Sequence, residues 1–351
     1  MEFSTQILSW YGQNKRDLPW RKTKDPYKIW LSEVILQQTK VEQGLPYYIE
    51  FINNFPTIED LANANEDRVL KLWQGLGYYS RARNLLHTAK TIQNEMNSIF
   101  PSKYDQIIKL KGVGEYTAAA ISSFAFSLPY AVVDGNVIRV LSRYFGIATE
   151  YDTLDGKHIF KEMANHLLTK ENSSDYNQAI MEFGALQCKP KSPNCFNCIL
   201  KSDCKGYLEH KVDYYPRKKH KIKIKNRYLN FFIIKQRKKI YIGKISSGIW
   251  KGLYEFPFLE FQSPLSKRKI INSLDWSEMF INSDSFSIEK ISREIIHKLS
   301  HQRLYVRFWH MNTQNLLLKN YKLVSFNDFP KYPVSILIDK YISTVGLGSK
   351  N

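Results

Sequence analysis

The chain has 351 residues, of which 43% are hydrophobic, and its 51 Lys and Arg against 33 Asp and Glu give a formal net charge of +18. At about 150 residues per domain, this length predicts two globular units, and the hydrophobic fraction excludes wholesale disorder. The cationic excess indicates a polyanionic partner. Nucleic acid is favoured over a membrane, because no apolar run approaches the about 18 residues of a membrane span and no segment has the pattern of a membrane-surface helix. The first residues lack the basic-then-apolar layout of a signal peptide, so a cytoplasmic protein is expected.

The first half of the chain shows the patterns of helices joined by short connections. Pro26 lies at the start of an apolar-rich helix that is predicted to run to about Lys40, and Thr57 with Asp60 has the spacing of a capping box. The remaining helix signals are a start at Ser80 for a helix to about Met96, Gly114 before a small-residue helix over 117–126, and Gly146 after a helix that begins near Asn136.

The composition changes after the helical part. Residues 211–227 contain eight Lys and Arg and one acidic residue, which predicts a basic linker over 213–227. Beyond it, short aromatic and β-branched runs at 228–234, 239–243 and 304–309 predict strands. We therefore expect a helical domain over 1–212 and a smaller α+β domain over 228–346.

A glycine-containing turn lies between two predicted helices. Leu110-Lys111-Gly112-Val113-Gly114 has the pattern of a helix–hairpin–helix motif, in which Gly112 and Gly114 let backbone amides approach a phosphate closely. Such a turn alone is weak evidence, but Asp134 follows Gly114 by twenty residues, in Val132-Val133-Asp134-Gly135-Asn136.

All four cysteines fall within seventeen residues, at Cys188, Cys195, Cys198 and Cys204. In a reducing compartment this density favours a metal site over disulfides. Four thiolates suit zinc or an iron–sulfur cluster about equally, but the spacing is not that of paired zinc knuckles, which favours iron–sulfur.

The hairpin, the aspartate and the cysteine array, in this order, resemble the endonuclease III superfamily of DNA glycosylases, and within it the MutY-type adenine DNA glycosylases. The resemblance covers residues 1 to about 212 strongly and the remainder more weakly. It implies a multidomain fold: an all-α helix–hairpin–helix glycosylase domain with one 4Fe–4S cluster in the loop over 188–204, followed by a smaller α+β NUDIX-like domain.

The resemblance also implies the catalytic residues. Leu31-Ser32-Glu33-Val34-Ile35-Leu36-Gln37-Gln38 matches the helix that carries the catalytic acid, so Glu33 is expected to protonate adenine N7, and its apolar neighbours should raise its pKa. Asp134 is expected to stabilise the oxocarbenium-like sugar, because breaking a glycosidic bond requires one neutral acid and one carboxylate. From the residues alone, Glu33 fits a solvent-facing position as well, and Asp134 fits an N-cap.

Tyr116 stands where endonuclease III carries the lysine that forms a Schiff base with the sugar. Without that amine the strand should stay intact, which predicts a monofunctional glycosylase that leaves an abasic site. By resemblance, Tyr116 and Asn136 orient the two carboxyl groups.

The target base must leave the stack, and the resemblance assigns DNA contacts to four residues. Gln38 and Tyr78 are expected to fill the gap in the duplex, Arg21 to contact the flipped adenine, and Gln178 to read the edge of the base with its amide.

The strand-rich part resembles the NUDIX-like domain of the same family, but no segment has the acidic array that holds magnesium on a diphosphate. We expect a domain that reads the base opposite adenine and needs neither nucleotide nor magnesium. The family's Phe-Ser-His turn corresponds to Leu299-Ser300-His301, so Ser300 and His301 are the predicted readers and the aromatic ring is missing.

The favoured function is therefore base excision repair of adenine mispaired with 8-oxoguanine or guanine, by a protein expected to act as a monomer on double-stranded DNA. Three alternatives remain open at this point: an endonuclease III-like or thymine-mismatch glycosylase, a catalytically silent mismatch-binding protein, and a zinc-binding helical transcription factor.

Overall fold

The computed structural model describes residues 2–220, 223–280, 286–314, 316 and 318–346. The chain forms two compact units. The helical unit comprises Met1–Asn63 and His87–Lys221, and the sheet unit comprises Ala64–Leu86 and Ile222–Asn351. Among the described residues, no helix is long and apolar enough to cross a membrane.

Fifteen α-helices are found in the described ranges, and all but three of them precede the first strand. They are α1 (Phe3–Asn14), α2 (Pro26–Leu36), α3 (Val41–Asn54), α4 (Ile58–Ala62), α5 (Glu66–Leu72), α6 (Ser80–Glu95), α7 (Tyr104–Ile107), α8 (Glu115–Phe126), α9 (Gly135–Phe145), α10 (Leu154–Leu167), α11 (Ser173–Leu186), α12 (Lys205–Leu208), α13 (Lys267–Ile271), α14 (Leu274–Met279) and α15 (Ile336–Val345).

The local signals in the sequence explain most helix boundaries. Thr57 and Asp60 form the predicted capping box at α4, and Gly146 ends α9 in the left-handed conformation at φ 69°, where glycine carries no steric penalty. The helix at Pro26 ends at Leu36 and not near Lys40. The chain leaves the helix at Gln37, whose ψ is 112°, and Gln38 then adopts φ 56°, a left-handed conformation that no right-handed helix contains.

The core of the helical unit lies between α1, α9, α10 and α11. Its buried side chains include Ile7, Leu141, Phe160 and Phe183. The small residues of α8 let α2 approach closely, and these two helices pack against each other. Both carry residues of the candidate site described below.

The part of the sheet unit that the structure describes contains eight strands: β1 (Lys225–Gln236), β2 (Lys239–Lys244), β3 (Tyr254–Glu255), β4 (Phe258–Phe261), β5 (Phe286–Ile291), β6 (Ile295–Lys298), β7 (Gln302–Thr313) and β8 (Lys322–Ser325). The path through the sheet is β3-β2-β1-β7-β5, with β4 on β1, β6 on β7 and β8 on β2. The central strands β1 and β7 run parallel, and the other pairs are antiparallel.

Each face of the sheet has its own core. Leu229, Phe231 and Phe308 point to the face that α15 covers. Residues of the opposite parity, such as Phe232 and Trp309, pack with α13 and α14 on the other face, as the alternation of side chains along a strand requires. Two of the predicted strand runs, 228–234 and 304–309, therefore belong to the long central strands β1 and β7, which are buried on both sides, and the third run, 239–243, lies in the shorter β2.

Candidate active site

Glu33 lies on α2 and is buried, with 5% of its surface exposed. Asp25 caps this helix by accepting a hydrogen bond from the amide of Tyr27, and Pro26 occupies the first turn, so the start of α2 is fixed. The Tyr116 hydroxyl donates to Oε2 of Glu33 at 2.7 Å. Burial raises the pKa of Glu33 to about 7, while the bond from Tyr116 acts in the opposite direction. At neutral pH a large fraction of Glu33 is therefore a neutral acid.

Asp134 occupies the N-cap of α9 and accepts three hydrogen bonds. Its Oδ1 accepts from the amides of Asn136 at 2.9 Å and Val137 at 2.8 Å, and its Oδ2 accepts from Nδ2 of Asn136 at 2.7 Å. Burial raises the pKa of Asp134 above its ordinary value, although the bonds from Val137 and Asn136 act in the opposite direction. Glu33 accepts one such bond and Asp134 accepts three, so the surroundings favour the charged form at Asp134 more than at Glu33.

Arg139 fixes the orientation of the Asn136 side-chain amide. Arg139 donates to Oδ1 of Asn136 at 2.8 Å, and also to the carbonyl oxygens of Gly184 at 2.6 Å and Cys188 at 2.7 Å. A guanidinium only donates, so Oδ1 must face Arg139 and Nδ2 must face Asp134. Gly184 permits this close approach, because a Cβ at that position would lie 2.7 Å from Cβ of Asn136.

Seven of the predicted site residues line one pocket of about 900 Å³ in the helical unit. They are Arg21, Glu33, Gln38, Tyr116, Asp134, Asn136 and Gln178. The pocket also contains Arg16 and Glu182, which no motif in the sequence had marked. Sequence positions spread over 158 residues are thus brought to one cavity by α2, α8, α9 and α11.

Glu182 is the centre of an ion-pair cluster in this pocket. Its side chain is 1% exposed and accepts from Arg16 at 2.7 Å and from Arg21 at 2.8 Å. These bonds hold the pKa of Glu182 down at about 2 against the effect of burial. Glu182 follows Gln178 by one helical turn of α11, so the i, i+4 spacing places both side chains on the same face of that helix, but it carries no signal of the arginine partners.

Gln178 makes two long contacts: its Oε1 accepts from the hydroxyl of Tyr11 at 3.4 Å, and its Nε2 donates to Oγ of Ser174 at 3.3 Å. Both are near the limit of hydrogen bonding, so the Gln178 amide is directed but only weakly held.

Gln38 and Tyr78 share a backbone feature, although they lie in different units. Gln38 adopts φ 56° and Tyr78 φ 48°, and both side chains are exposed. Residues other than glycine rarely adopt this conformation, and those that do cluster at functional positions. Each of the two predicted wedge residues thus stands on a strained turn.

Ser300 and His301 form the tip of the β6–β7 hairpin in the sheet unit. The amide of Leu299 donates to the carbonyl of Gln302 at 2.8 Å, which closes the turn. The Ser300 and Tyr78 hydroxyls lie 2.5 Å apart. Leu299, at the position where the resemblance predicts a phenylalanine, packs against the core below α15. This position therefore contributes to the core, and the exposed tip carries polar groups alone.

The two glycines of the predicted hairpin lie between α7 and α8, outside the pocket. Gly112 adopts φ 82°, which requires glycine. Gly114 is the N-cap of α8, and a Cβ there would meet nothing within 4 Å. There is thus open space directly beside the backbone of Gly114.

All four cysteines line one small cavity of about 30 Å³ in the helical unit. Burial raises the pKa of Cys198 to about 11, and Arg143 donates to Sγ of Cys188 at 3.4 Å. In the described ranges, no three or more His, Cys, Asp or Glu side chains are grouped so as to hold a metal ion. Lys189 and Lys191, in the loop between the first two cysteines, are exposed.

Comparison with known proteins gives two family matches. Residues 31–165 match the HhH-GPD superfamily of base excision DNA repair proteins, and residues 230–344 match the NUDIX domain. Together with the structural neighbours below, these matches confirm the predicted fold class of a helix–hairpin–helix domain followed by a NUDIX-like domain.

Curated relatives extend over most of the chain. The adenine DNA glycosylase of Buchnera aphidicola subsp. Baizongia pistaciae is 39% identical over 336 residues, which is 93% of this chain and 91% of the relative. The adenine DNA glycosylase of Rattus norvegicus is 42% identical over 58% of this chain and 42% of the relative.

Among solved structures, a thermostable thymine-DNA glycosylase is 32% identical, with a TM-score of 0.55 over 59% of this chain and 95% of that one. An endonuclease III in a non-covalent DNA complex is 22% identical, with a TM-score of 0.52 over 59% of this chain and 94% of that one. The second likeness concerns the fold alone.

Proposed function

This chain belongs to the adenine DNA glycosylase family, and from that premise we propose that it hydrolyses the bond between adenine and deoxyribose where adenine is mispaired with 8-oxoguanine or guanine in double-stranded DNA. The enzyme is a DNA glycosylase of base excision repair.

In the proposed mechanism Glu33 protonates the base. Protonation of adenine N7 turns the base into a neutral leaving group, and a proton donor is most effective when its pKa lies near the working pH. The pKa of Glu33, raised to about 7 by burial, supports this role. After departure of the base, the Glu33 carboxylate accepts a proton from the attacking water.

Asp134 faces the opposite requirement, since a carboxylate must stabilise the positive charge that develops on the sugar. The three hydrogen bonds to Asp134 support the charged form and fix its orientation. The capping role and the catalytic role are compatible, because the carboxylate is held by α9 and still lines the pocket.

We infer that the product is an intact strand with an abasic site. A lyase needs an amine that attacks the sugar, whereas the corresponding position holds Tyr116, whose hydroxyl is engaged with Glu33. Tyr116 instead positions the acid.

Adenine is proposed to be held by Arg21 and Gln178. The Glu182 cluster, which fixes Arg21 from one side, supports this assignment because a held guanidinium loses less freedom on binding a base. On the sheet unit, Tyr78, Ser300 and His301 are the proposed contacts to the opposite strand and to 8-oxoguanine.

The four cysteines are proposed to bind one 4Fe–4S cluster. Such a cluster takes one thiolate for each iron, so its ligands need not converge on one point as those of a single ion do. When bound, the cluster would supply structural cross-linking of the loop that carries Lys189 and Lys191. These lysines and the glycines Gly112 and Gly114 are the proposed phosphate contacts of the helical unit.

The observation that carries the proposal is the pairing, in one pocket, of a buried carboxyl with a pKa of about 7 and a multiply hydrogen-bonded carboxylate. The test is a single-turnover assay on duplexes with adenine opposite 8-oxoguanine, guanine or thymine, followed by alkali. We expect strand breaks only after alkali treatment, and we expect adenine release to be fastest opposite 8-oxoguanine. Strand breaks without alkali, or release of thymine from a thymine–guanine mispair in place of adenine, would show a different glycosylase.

A further inference from the structure

The β6–β7 hairpin carries two cations that face each other. Lys298 lies directly opposite Arg303 in the antiparallel pairing. Side chains at opposite positions project from the same face of a sheet, and like charges there destabilise the strand pair. The fold gains nothing from this arrangement, so the pair of charges requires another explanation.

Neither cation forms an ion pair or a hydrogen bond through its side chain with another described residue, whereas nearby arginines do so. The partners of those arginines are carboxylates: Arg227 contacts Glu260 at 2.6 Å, and Arg307 contacts Glu294 at 3.7 Å. Lys298 is exposed and Arg303 is half-buried. Their charges are therefore available to an external anion.

The face that carries the two cations is only partly covered. Ile270 and Trp276 of α13 and α14 pack over its far half. At the near half, Ile296 is 52% exposed, and Tyr305 stacks on Tyr228 with ring centroids 4.9 Å apart. The end of the face next to the hairpin turn is thus an accessible surface of cations and aromatic rings.

This surface adjoins the turn that is proposed to read the opposite base. Lys298 precedes Ser300 by two residues and Arg303 follows His301 by two. At about 3.4 Å per residue along a strand, each cation stands only about 7 Å from the tip. A nucleotide whose base reaches the tip brings its own phosphates, or those of the next nucleotide, within reach of these long side chains.

We propose that Lys298 and Arg303 bind the phosphodiester backbone of the DNA strand that carries the base opposite the excised adenine. The proposal rests on the function proposed above, in which Ser300 and His301 contact that base. The two cations supply affinity and position the strand, and they do not distinguish one base from another, since phosphate contacts carry no sequence information.

The test measures the affinity of the full-length double variant Lys298→Gln/Arg303→Gln for mispaired duplexes as a function of salt. Each phosphate contact contributes about 0.9 to the slope of log affinity against log salt, so losing two should reduce the slope by about 1.8. Between about 50 and about 200 mM salt, the affinity of the unmodified protein should then fall about tenfold more than that of the variant. Affinity for duplexes with 8-oxoguanine and with guanine should fall by the same factor.

Lys267→Gln/Arg268→Gln on α13 is the matched control, because it removes the same charge from exposed positions of the same unit. The slope of this control should stay that of the unmodified protein, and a slope change equal in the two double variants would overturn the proposal.

Thermal unfolding checks the fold, since relief of repulsion should leave the melting temperature of Lys298→Gln/Arg303→Gln unchanged or higher. Ser300→Ala distinguishes reading of the base from binding of the phosphates. It should alter the ratio of affinities for the 8-oxoguanine and guanine duplexes and leave the salt slope unchanged. If the unmodified protein releases no adenine, the proposed function fails, whereas an unchanged slope in an active protein rejects the phosphate contacts alone.

Discussion

The hydroxyl groups of Tyr78 and Ser300 lie 2.5 Å apart, although 222 residues separate them in the chain. A proposed wedge residue is thereby bonded to a proposed reader of the opposite base. Since both belong to the sheet unit, the geometry of the wedge and that of the reader are set together.

Tyr78→Phe keeps the aromatic ring and removes this bond. We expect the preference for 8-oxoguanine over guanine to fall about fivefold to tenfold, because a neutral hydrogen bond contributes about 1 kcal/mol. The measurement is the ratio of dissociation constants for the two duplexes in Tyr78→Phe, Ser300→Ala and the combined variant. If the two hydroxyls act through their shared bond, the combined variant should lose less binding preference, as a free energy, than the sum of the losses in the two single variants. Additive effects would mean that the two hydroxyls act independently.

Glu33→Gln and Asp134→Asn should each bind the mispaired duplex and release almost no adenine. Binding rests on phosphate and wedge contacts, whereas general acid catalysis contributes about 10² to 10⁴ in rate. Binding and single-turnover release are measured on the same preparation. Glu50→Gln on α3 is the control, since this exposed carboxyl lies outside the pocket and bonds to Asn54 of its own helix. Substantial release by a purified Glu33→Gln or Asp134→Asn enzyme would remove that residue from the catalytic pair.

The rate of adenine release should fall as the pH rises through about 7, the pKa of Glu33, because the protonated form is the active one. The bond from Tyr116 lowers this pKa, so Tyr116→Phe should raise it and move the alkaline limb of the pH profile to higher pH. The measurement is the single-turnover rate between about pH 5 and pH 9. A limb that shifts to lower pH in Tyr116→Phe would contradict the assignment of Glu33 as the acid.

Glu182→Gln should lower the free energy of unfolding by about 3 kcal/mol, because it leaves two half-buried arginines without the buried carboxylate that they share. In the folded protein the pKa of Glu182 is lowered from 4.5 to about 2, so its contribution is complete above pH 4.5 and is lost as the pH falls toward 2. Denaturant unfolding of the unmodified protein and of Glu182→Gln is measured from above pH 4.5 down to about pH 2. The difference between their free energies of unfolding should shrink as the pH falls. Glu42→Gln, which removes an exposed partner of Arg16, should cost less than about 1 kcal/mol.

Local features of the fold were predictable from the sequence. The capping box at Thr57, the stop at Gly146 and the main strand runs depend on a few neighbouring residues, and each is present. The early end of α2 at Leu36 was not predictable, because the segment 37–40 contains no glycine or proline, the residues that most strongly signal the end of a helix.

Contacts between residues far apart in the chain were not predictable from the sequence. The grouping of Glu182 with Arg16 and Arg21 and the bond between Tyr78 and Ser300 join positions far apart in the chain, and periodicity carries no information about such pairs. The motif residues Glu33, Tyr116 and Asp134 were found only because their sequence contexts resemble a known family. Their roles stay predictions until the variants are measured.

The membership of Ala64–Leu86 in the sheet unit has a consequence for synthesis of the chain. Gln74 bonds to Asp339 at 2.7 Å and to the amide of Val334 at 3.0 Å, and Asp67 bonds to Lys244 at 2.7 Å. Domains generally fold in the order in which the ribosome delivers them. Here a segment made early must wait for partners made 177 to 265 residues later. A nascent chain that holds every cysteine and the carboxyl groups of Glu33 and Asp134 therefore still has an unfinished stretch between its fourth and sixth helices. The protein cannot complete its fold before its last strands and final helix have been translated.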